Sequence, residues 1–506
     1  MTSTPETQWA ALRGRLQEIS ALVSAADLLE WDQLTYMPPG GAGARGQQLA
    51  TLQRLAHEKL IDPTLGHLLD TLEAATAQQD AASDEPAILR EVRRRYERAI
   101  KAPPAFTAEV AEHLATSYDA WAVARPANDF GLVRPLLEKT LDYSRRYADF
   151  FPGYAHVADP LIDVGDHGMT VSTIRPCFAA LRQQLAPLVK QISDQTPPDD
   201  QCLYQPFTED KQIAFGEQII MAFGYDFERG RQDRSPHPFS TRIGAGDVRI
   251  TTRIYSNDLA QGLFSTLHEA GHAMYEQGVD PALAGTLADE GVSMAVHESQ
   301  SRLWENLVGR SWPFWNHYYP QLQSIFPEQL GKVSLDTFYR AVNKVQRSLI
   351  RTDADEVTYN LHVIIRFELE QALLEGSLAV ADLPDAWRAA YAEALGIAPP
   401  DDRDGVLQDV HWYAGLIGGS FQGYTLGNIL SAQFYAEAVR AHPEIPAEIG
   451  GGKFDTLHGW LREQIYRHGS KFTTAELLQR ITGGPLRLEP YLAYLKSKYS
   501  QLYQLT

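Results

Sequence analysis

Cysteine is almost absent from this chain of 506 residues, which contains only Cys177 and Cys202. Two thiols cannot build a disulfide framework. Because they do not stand in a C-x-x-C spacing, they also exclude a cysteine-rich zinc site and a thioredoxin-like site. A single bridge between them is the alternative to two free thiols, which we expect because free thiols are typical of a reducing cytoplasm.

Positive charge is also in short supply, with 45 Lys and Arg residues against 64 Asp and Glu residues and a formal net charge of −19. Sequence-independent nucleic-acid binding and attraction to anionic membranes both require clustered Lys and Arg. The composition therefore argues against nucleic acid and membrane as partners. Its 44% of hydrophobic residues is ordinary for a soluble globular protein and argues against disorder.

The sequence shows no segment typical of export or membrane insertion. Its first residues have no basic region followed by an apolar run, which a secretory signal requires. No stretch reaches the roughly 18 apolar residues of a membrane span, and even residues 361–366 are interrupted by charge. We therefore expect a soluble, cytoplasmic protein.

Most of the sequence shows the hydrophobic periodicity of α-helices. Apolar residues recur at every third or fourth position, as on one face of an amphipathic helix. This pattern predicts helices over residues 10–29, 44–60, 86–101, 131–151, 171–193, 209–224, 258–277, 289–308, 336–349, 356–375 and 425–441. Residues 197–200, with two prolines, are the best candidate for a domain boundary, although they could equally form a loop within one domain.

Residues 247–255 break the helical pattern, because apolar and polar side chains alternate over most of their length. This alternation is typical of a half-buried strand. Residues 239–243 can pair with it through the glycine-containing turn at 244–246, so we expect a small antiparallel sheet.

The most informative motif follows this sheet and reads His268-Glu269-Ala270-Gly271-His272. Residues four apart on a helix lie about 40° apart around its axis, so both imidazoles can reach one ion. Glu269 is then placed to act as the general base on a zinc-activated water. The alternative is an ordinary helix with two hydrogen-bonded histidines. Gly271 favours the metal site, because a helix-interior glycine suggests close approach by another element.

A catalytic zinc needs a third protein ligand and an open fourth position. The extended motif with a third histidine is absent, since Tyr275 and Gly278 occupy the places of its glycine and histidine. A carboxylate from the next predicted helix, 289–308, is the leading option. Glu290, Glu298 and Glu305 all lie there, and the sequence geometry does not choose among them.

Several motifs, in order along nearly the whole chain, resemble the thermostable carboxypeptidase (carboxypeptidase Taq) family of metallopeptidases. They are Leu29-Glu30-Trp31-Asp32-Gln33 with Met37-Pro38-Pro39-Gly40, His237-Pro238-Phe239, Asp247-x-Arg249-x-Thr251, His268 to His272, His297-Glu298-Ser299-Gln300, Ile350-Arg351 with Ala354-Asp355, and Gly405-x-x-Gln408-Asp409-x-His411-Trp412. The chain departs from the family at Gly419-Ser420-Phe421-Gln422-Gly423-Tyr424, where the family often has Gly-Tyr-Phe-Pro-x-Tyr.

The resemblance implies that Glu298 is the third ligand, beside His268 and His272, of a zinc ion for which cobalt can substitute. It also implies a mostly helical fold with a long central groove, a small sheet beside that groove, and a homodimer. The expected function is that of a metallocarboxypeptidase, which removes single residues from the free C-terminus of peptides. Because the motifs span much of the chain, we expect one helical domain over residues 1–506.

Recognition of a C-terminal carboxylate favours arginine, whose planar fork matches the two oxygens. Arg351 is the first choice, with a surface ion pair to Asp353 or Asp355 as the alternative. Arg249 could bind substrate or order the cleft, or it could be an exposed strand charge. A substrate role for His237 is implied by the resemblance, with a structural histidine as the alternative.

The tetrahedral intermediate of peptide hydrolysis carries an oxyanion that needs a hydrogen-bond donor. His411 and Tyr424 are the candidates, and the alternative for each is a packed residue whose polar atom is bonded within the fold. His297 precedes the expected ligand and points about 100° away from it on a helix. We therefore interpret His297 as a residue behind the ligands or as a substrate contact.

Two other functions remain open from the sequence. A zinc-dependent oligo-endopeptidase on a similar helical fold would use the same chemistry without requiring a free C-terminus. A catalytically inactive helical scaffold would bind no metal at all.

Overall fold

Helices form most of the computed structural model, which describes residues 4–505. The first eleven are α1 Pro5–Thr35, α2 Ala42–Leu60, α3 Pro63–Thr76, α4 Asp84–Lys101, α5 Pro104–Ala127, α6 Arg134–Asp149, α7 Asp159–Gly165, α8 Val171–Ser193, α9 Glu209–Phe223, α10 Leu259–Gly278 and α11 Met294–Arg302. The rest are α12 Trp312–Ile325, α13 Pro327–Leu330, α14 Leu335–Val342, α15 Tyr359–Glu375, α16 Leu383–Leu395, α17 His411–Ala414, α18 Gln422–Ala441, α19 Ile445–Gly450, α20 Asp455–Gln464, α21 Thr474–Thr482 and α22 Glu489–Tyr503.

Each helix predicted from the periodicity is present, although several ends are displaced, and two predicted segments are α-helical over only part of their length. The segment predicted as 289–308 becomes helical only at Met294, because the Ser293 hydroxyl accepts a hydrogen bond from the amide of Val296 and caps α11. It continues beyond α11 as a π-helix, Leu303–Val308. The segment predicted as 336–349 ends at Val342, where the side chain of Asn343 donates to the carbonyl oxygens of Tyr339 and Arg310.

Three short strands form one sheet: β1 Gln232–Arg234, β2 Ser240–Gly244 and β3 Asp247–Thr252, in the order β1-β3-β2. The predicted antiparallel hairpin is confirmed as β2 and β3, with Val248 and Ile250 of β3 fully buried. The sheet is nevertheless mixed, because β1 pairs in parallel with the other edge of β3. With three residues, β1 is too short to show an alternating pattern in the sequence.

The main hydrophobic core takes side chains from Ala124 through Tyr503, including Leu185 and Phe215 on either side of residues 197–200. The predicted boundary therefore lies between two parts of one core cluster. A smaller cluster is formed by α1, α3 and α4 against Val279, Leu283, Leu287 and Ala288. The single domain over residues 1–506, whose ends lie outside the described residues, stays a prediction.

Cys177 and Cys202 are free thiols, as predicted. None of the helices between residues 4 and 505 combines the length and the apolar character of a membrane span.

Candidate metal centre and active-site groove

Helix α10 carries the central motif and begins directly after the sheet. The carboxylate of Asp258 caps it by accepting hydrogen bonds from the amides of Ala260, at 2.9 Å, and Gln261, at 3.2 Å. Most of the helix is buried, so its His268, Glu269 and His272 are held by packing on several sides.

Gly271 allows α11 to lie directly against α10. A Cβ atom at this position would come within 2.6 Å of Ser301 Cα and 2.7 Å of the Gln300 carbonyl oxygen. No side chain fits there, which explains why this helix tolerates an interior glycine. The close contact brings Glu298 of α11 towards the two histidines of α10.

Three potential ligand atoms meet at this contact, from His268, His272 and Glu298. Glu298 Oε2 lies 3.6 Å from His268 Nε2 and 3.4 Å from His272 Nε2. Ligands bound about 2.0–2.2 Å from a tetrahedral ion lie roughly 3.3–3.6 Å from one another. Two imidazoles and one carboxylate at this spacing therefore fit a divalent metal ion.

The protonation states of His272 and Glu298 suit metal binding, whereas His268 has a raised pKa, because the effect of burial is outweighed by the carboxylates of Glu298 and Glu305. Burial lowers the pKa of His272 to about 4, so its imidazole is neutral at pH 7. Burial raises the pKa of Glu298, but the charges of Arg302 and His268 outweigh this effect and leave it well below its usual value. Neutral histidine and ionised carboxylate are the forms that bind a metal.

The three glutamates that the sequence left open have different positions. Glu298 belongs to the ligand cluster. Glu305, on the π-helix, lies behind it and accepts a hydrogen bond from His268 Nδ1 at 2.9 Å. Glu290 lies in the loop before α11 and pairs with Arg95 on α4. Only Glu298 of the three combines with both histidines.

Arg302 supports both acidic residues from one turn beyond the ligand. Its Nε donates to Glu298 Oε1 at 2.6 Å, and its Nη1 donates to Glu305 Oε2 at 3.2 Å. The sequence reasoning missed Arg302. The spacing of Glu298, Arg302 and Glu305 at i, i+4 and i+7 was the signal that could have identified it.

A groove of about 1020 Å³ runs past this cluster and is lined by His268, Glu269, Glu298, Arg351 and Tyr424, among others. It corresponds to the predicted central groove. Burial raises the pKa of Glu269 to about 7. A carboxyl group with that pKa can both accept and release a proton near neutral pH.

Arg351 is buried in the groove wall and forms a bidentate ion pair with Asp409. Its Nε and Nη2 donate to the two carboxylate oxygens, both at 2.9 Å, and its Nη1 donates to the Tyr359 hydroxyl at 3.1 Å. The partner is therefore Asp409 in place of the Asp353 or Asp355 considered from the sequence. The sequence reasoning missed Asp409, although it stands inside the 405–412 motif.

Asp409 also organises the two oxyanion candidates. Its Oδ1 lies 2.9 Å from His411 Nδ1, and His411 Nε2 lies 3.2 Å from the Tyr424 hydroxyl. Burial raises the pKa of Tyr424, so the hydroxyl keeps its proton. Asp409, His411 and Tyr424 thus form a hydrogen-bonded chain that ends in the groove.

Gln422 holds the loop at residues 419–424, which departs from the family pattern, in place through hydrogen bonds. Its buried side-chain amide donates to Asp166 Oδ2 at 3.0 Å and to the carbonyl of Gly419 at 3.0 Å. Asp166 in turn accepts from the amide of Ala295 at the start of α11. Gln422 therefore links the helix that carries Tyr424 to the helix that carries Glu298.

His237 and Arg249 are not among the groove-lining residues between 4 and 505. His237 is exposed, and its neighbour Pro238 lines the groove instead. Arg249 pairs with Asp247 at 2.7 Å, and its guanidinium carbon lies 4.2 Å from the centre of the Trp31 ring. Arg249 thereby connects β3 to α1.

Comparisons with known proteins give a uniform result. The model of the carboxypeptidase Taq (M32) metallopeptidase family matches residues 11–499. Thermostable carboxypeptidase 1 of Thermus thermophilus is 41% identical to this chain, over 99% of this chain and 100% of the relative. Carboxypeptidase 1 of Bacillus subtilis is 36% identical, over 97% of each chain.

Solved structures agree with the sequence relatives. The crystal structure of the M32 carboxypeptidase from Deinococcus radiodurans R1 is 51% identical and superposes with a TM-score of 0.96, over 99% of this chain and 100% of the other. Metallocarboxypeptidase 1 of Trypanosoma cruzi is 30% identical with a TM-score of 0.92, over 97% and 99% of the two chains.

Proposed function

This chain belongs to the carboxypeptidase Taq (M32) family of metallopeptidases, and we propose that its groove hydrolyses the last peptide bond of peptides at one zinc ion held by His268, His272 and Glu298. As a member of that family it is a metallocarboxypeptidase. The observation that carries the site assignment is the meeting of these three ligands, two of which, His268 and Glu298, line the groove together with Glu269.

Two histidines and one carboxylate are a typical ligand set for a catalytic zinc, and cobalt accepts the same donors. A bound divalent ion supplies the Lewis acidity that lowers the pKa of water and polarises the scissile carbonyl. The remaining steps belong to side chains of this chain.

Glu269 is the general base in this proposal. Its carboxylate takes a proton from the attacking water while the water oxygen bonds to the carbonyl carbon. It then passes that proton to the leaving amine as the C–N bond breaks. Its pKa of about 7, raised by burial, suits both transfers.

Tyr424 and His411 stabilise the developing oxyanion. The Tyr424 hydroxyl stays protonated and lines the groove, so it can donate a hydrogen bond to the negative oxygen. Asp409 accepts from His411 Nδ1, so a neutral His411 accepts from the Tyr424 hydroxyl through Nε2, and this hydroxyl turns from His411 to the oxyanion when substrate binds.

Arg351 binds the C-terminal carboxylate of the substrate. Arginine has five N–H donors, and Asp409 and Tyr359 occupy three of them. The other two remain for a carboxylate in the groove. His237 stays a proposed substrate contact next to the groove-lining Pro238, and Arg249 orders the side of the cleft.

A cytoplasmic location and a homodimer complete the proposal. The free thiols Cys177 and Cys202 support the reducing compartment. The family resemblance supports the dimer, which sedimentation equilibrium of the purified protein would test.

Two measurements test the proposed function together. Elemental analysis of protein purified without added metal should find one zinc per chain. Matched peptides with a free or an amidated C-terminus should then be digested and followed by mass spectrometry. We expect a ladder of single C-terminal losses from the free peptide only. Internal cuts in both peptides would favour the oligo-endopeptidase, and protein without metal or hydrolysis would favour the scaffold.

A further inference from the structure

Behind His272 lies a chain of polar side chains that the proposed reaction does not use. His272 Nδ1 is 2.6 Å from His297 Nδ1, and His297 Nε2 is 2.8 Å from Glu276 Oε1. Arg242 of β2 pairs with Glu276 Oε2 at 3.4 Å and with Asp289 at 2.8 Å. The two imidazoles therefore lie in line between the ligand cluster and an anchored carboxylate.

The hydrogen-bond acceptors in this series of side chains determine which nitrogen atom carries each proton. Glu276 Oε1 also accepts the amide of Gly291 at 2.9 Å, and an ionised carboxylate can only accept. His297 Nε2 must then carry the proton that reaches Glu276. In a neutral His297 this makes Nδ1 an acceptor, so the proton between the two rings belongs to His272 Nδ1.

This proton order leaves His272 Nε2 with a free lone pair. That atom faces Glu298 Oε2 at 3.4 Å, within the ligand cluster. The reverse order would place a proton on Nε2 and prevent it from binding an ion. His268 reaches the same state more simply, because its Nδ1 donates directly to the carboxylate of Glu305.

The His297 ring is closely packed between Gly291 and Tyr275. A Cβ atom at Gly291 would lie 2.6 Å from His297 Cδ2 and 2.9 Å from Tyr275 Cε1. The Tyr275 ring packs beside the imidazole, with centroids 5.2 Å apart, and its hydroxyl accepts from the amide of Val292. The ring is thus confined by side-chain packing as well as by hydrogen bonds.

We infer that His297 is a positioning residue. Because it donates to Glu276 from Nε2, it accepts from His272 at Nδ1 and so holds His272 in the tautomer whose Nε2 can bind a metal. The inference rests on the proposed metal site. In this function, His297 needs one acceptor towards His272 and one donor towards Glu276, and it makes no contact with the substrate.

A matched pair of substitutions separates bridging from packing. In His297→Gln, the side-chain oxygen can accept from His272 and the amide nitrogen can donate to Glu276. In His297→Leu, a side chain of comparable size fills the space but leaves both partners unpaired. Outer hydrogen-bond partners of metal ligands typically contribute about 10–100-fold to metal affinity.

The measurement is zinc affinity of the full chain, made metal-free and then titrated in competition with a chromogenic chelator. We expect H297L to bind zinc about 10–100-fold more weakly than the unsubstituted protein, and H297Q to retain at least about tenfold tighter binding than H297L. Equal zinc affinity in H297L and H297Q would overturn the inference. An unsubstituted protein that binds no zinc would instead overturn the metal site itself.

A second pair keeps the test decisive if H297L does not fold, which circular dichroism of the metal-free proteins would show. Gly291→Ala keeps every hydrogen-bonding group and pushes on the His297 ring, so zinc affinity should fall. Glu290→Gln, one position earlier, changes a residue whose partner is Arg95, and zinc affinity should stay unchanged. Unchanged affinity in G291A, or an equal loss in E290Q, would contradict the positioning function.

Discussion

Arg351 and Asp409, 58 residues apart in the chain, form a buried bidentate ion pair in which both hydrogen bonds measure 2.9 Å. Arg366, which is fully buried, donates to the same carboxylate at 2.6 Å, as His411 does from another side. Asp409 thus connects the proposed carboxylate-binding arginine to the proposed oxyanion donors.

Replacing Asp409 with Asn should destabilise the protein, because it leaves two buried guanidinium groups without their shared negative charge. Breaking a buried pair in this way typically costs about 3–5 kcal/mol in the free energy of unfolding. Urea denaturation measures the change. Asp353→Asn is the control: this side chain is exposed, so we expect a change within about 0.5 kcal/mol. Similar stabilities for the two variants would show that Asp409 is not the common anchor.

Changing Arg351 to Lys should remove the preference for a free C-terminus while largely retaining hydrolysis of the peptide bond. Lysine keeps the positive charge but lacks the planar fork that binds Asp409 and a substrate carboxylate together. The measurement is the ratio of kcat/KM for matched free-acid and amide peptides. A ratio that survives the substitution would mean that another residue recognises the carboxylate.

Glu269→Gln should keep the metal and lose most of the activity. Glutamine has nearly the same shape but cannot accept the proton from water, and removing a general base typically costs about 10²–10⁴-fold in rate. Zinc content and kcat, measured on the same preparation, show whether the metal is retained and how much activity is lost. An active E269Q protein with bound zinc would exclude Glu269 as the base.

The buried carboxyl group of Asp166 should make the stability of the protein depend on pH. Burial raises the pKa of this carboxyl from 3.8 to about 6 in the folded protein. The folded state therefore binds the proton more tightly than the unfolded state. The free energy of unfolding is therefore highest below pH 3.8, the pKa of this carboxyl in the unfolded state, and falls as the pH rises to about 6. The loss is roughly 3 kcal/mol for a pKa difference of about two.

Asp166→Asn should abolish that part of the pH dependence and lower stability at every pH, because a Gln422 amide turned towards the new Asn no longer donates to the Gly419 carbonyl. Gln422 Oε1 has no hydrogen-bond partner in the described chain, so its amide can turn to accept from the new Asn side chain. Denaturation of both proteins between pH 4 and pH 7 provides the comparison. An identical pH profile for the two would contradict the raised pKa.

Features that depend on local spacing could be predicted from the sequence alone. His268 and His272 share a helix face because a helix repeats every 3.6 residues, and the β2–β3 hairpin follows from alternation around a short turn. The order of the family motifs likewise identified the metallocarboxypeptidase, which the comparisons confirm. These features need no knowledge of how distant elements pack.

Other features depend on contacts between distant segments and are visible only in the folded protein. Ser293 starts α11 late and leaves Glu290 in a loop, and the contact at Gly271 then brings Glu298 to the histidines. The link from Arg351 to Asp409 and the link from His272 to His297 have no periodic signature in the sequence. They exist because packing fixes which polar groups are buried together, and buried polar groups must find their partners there.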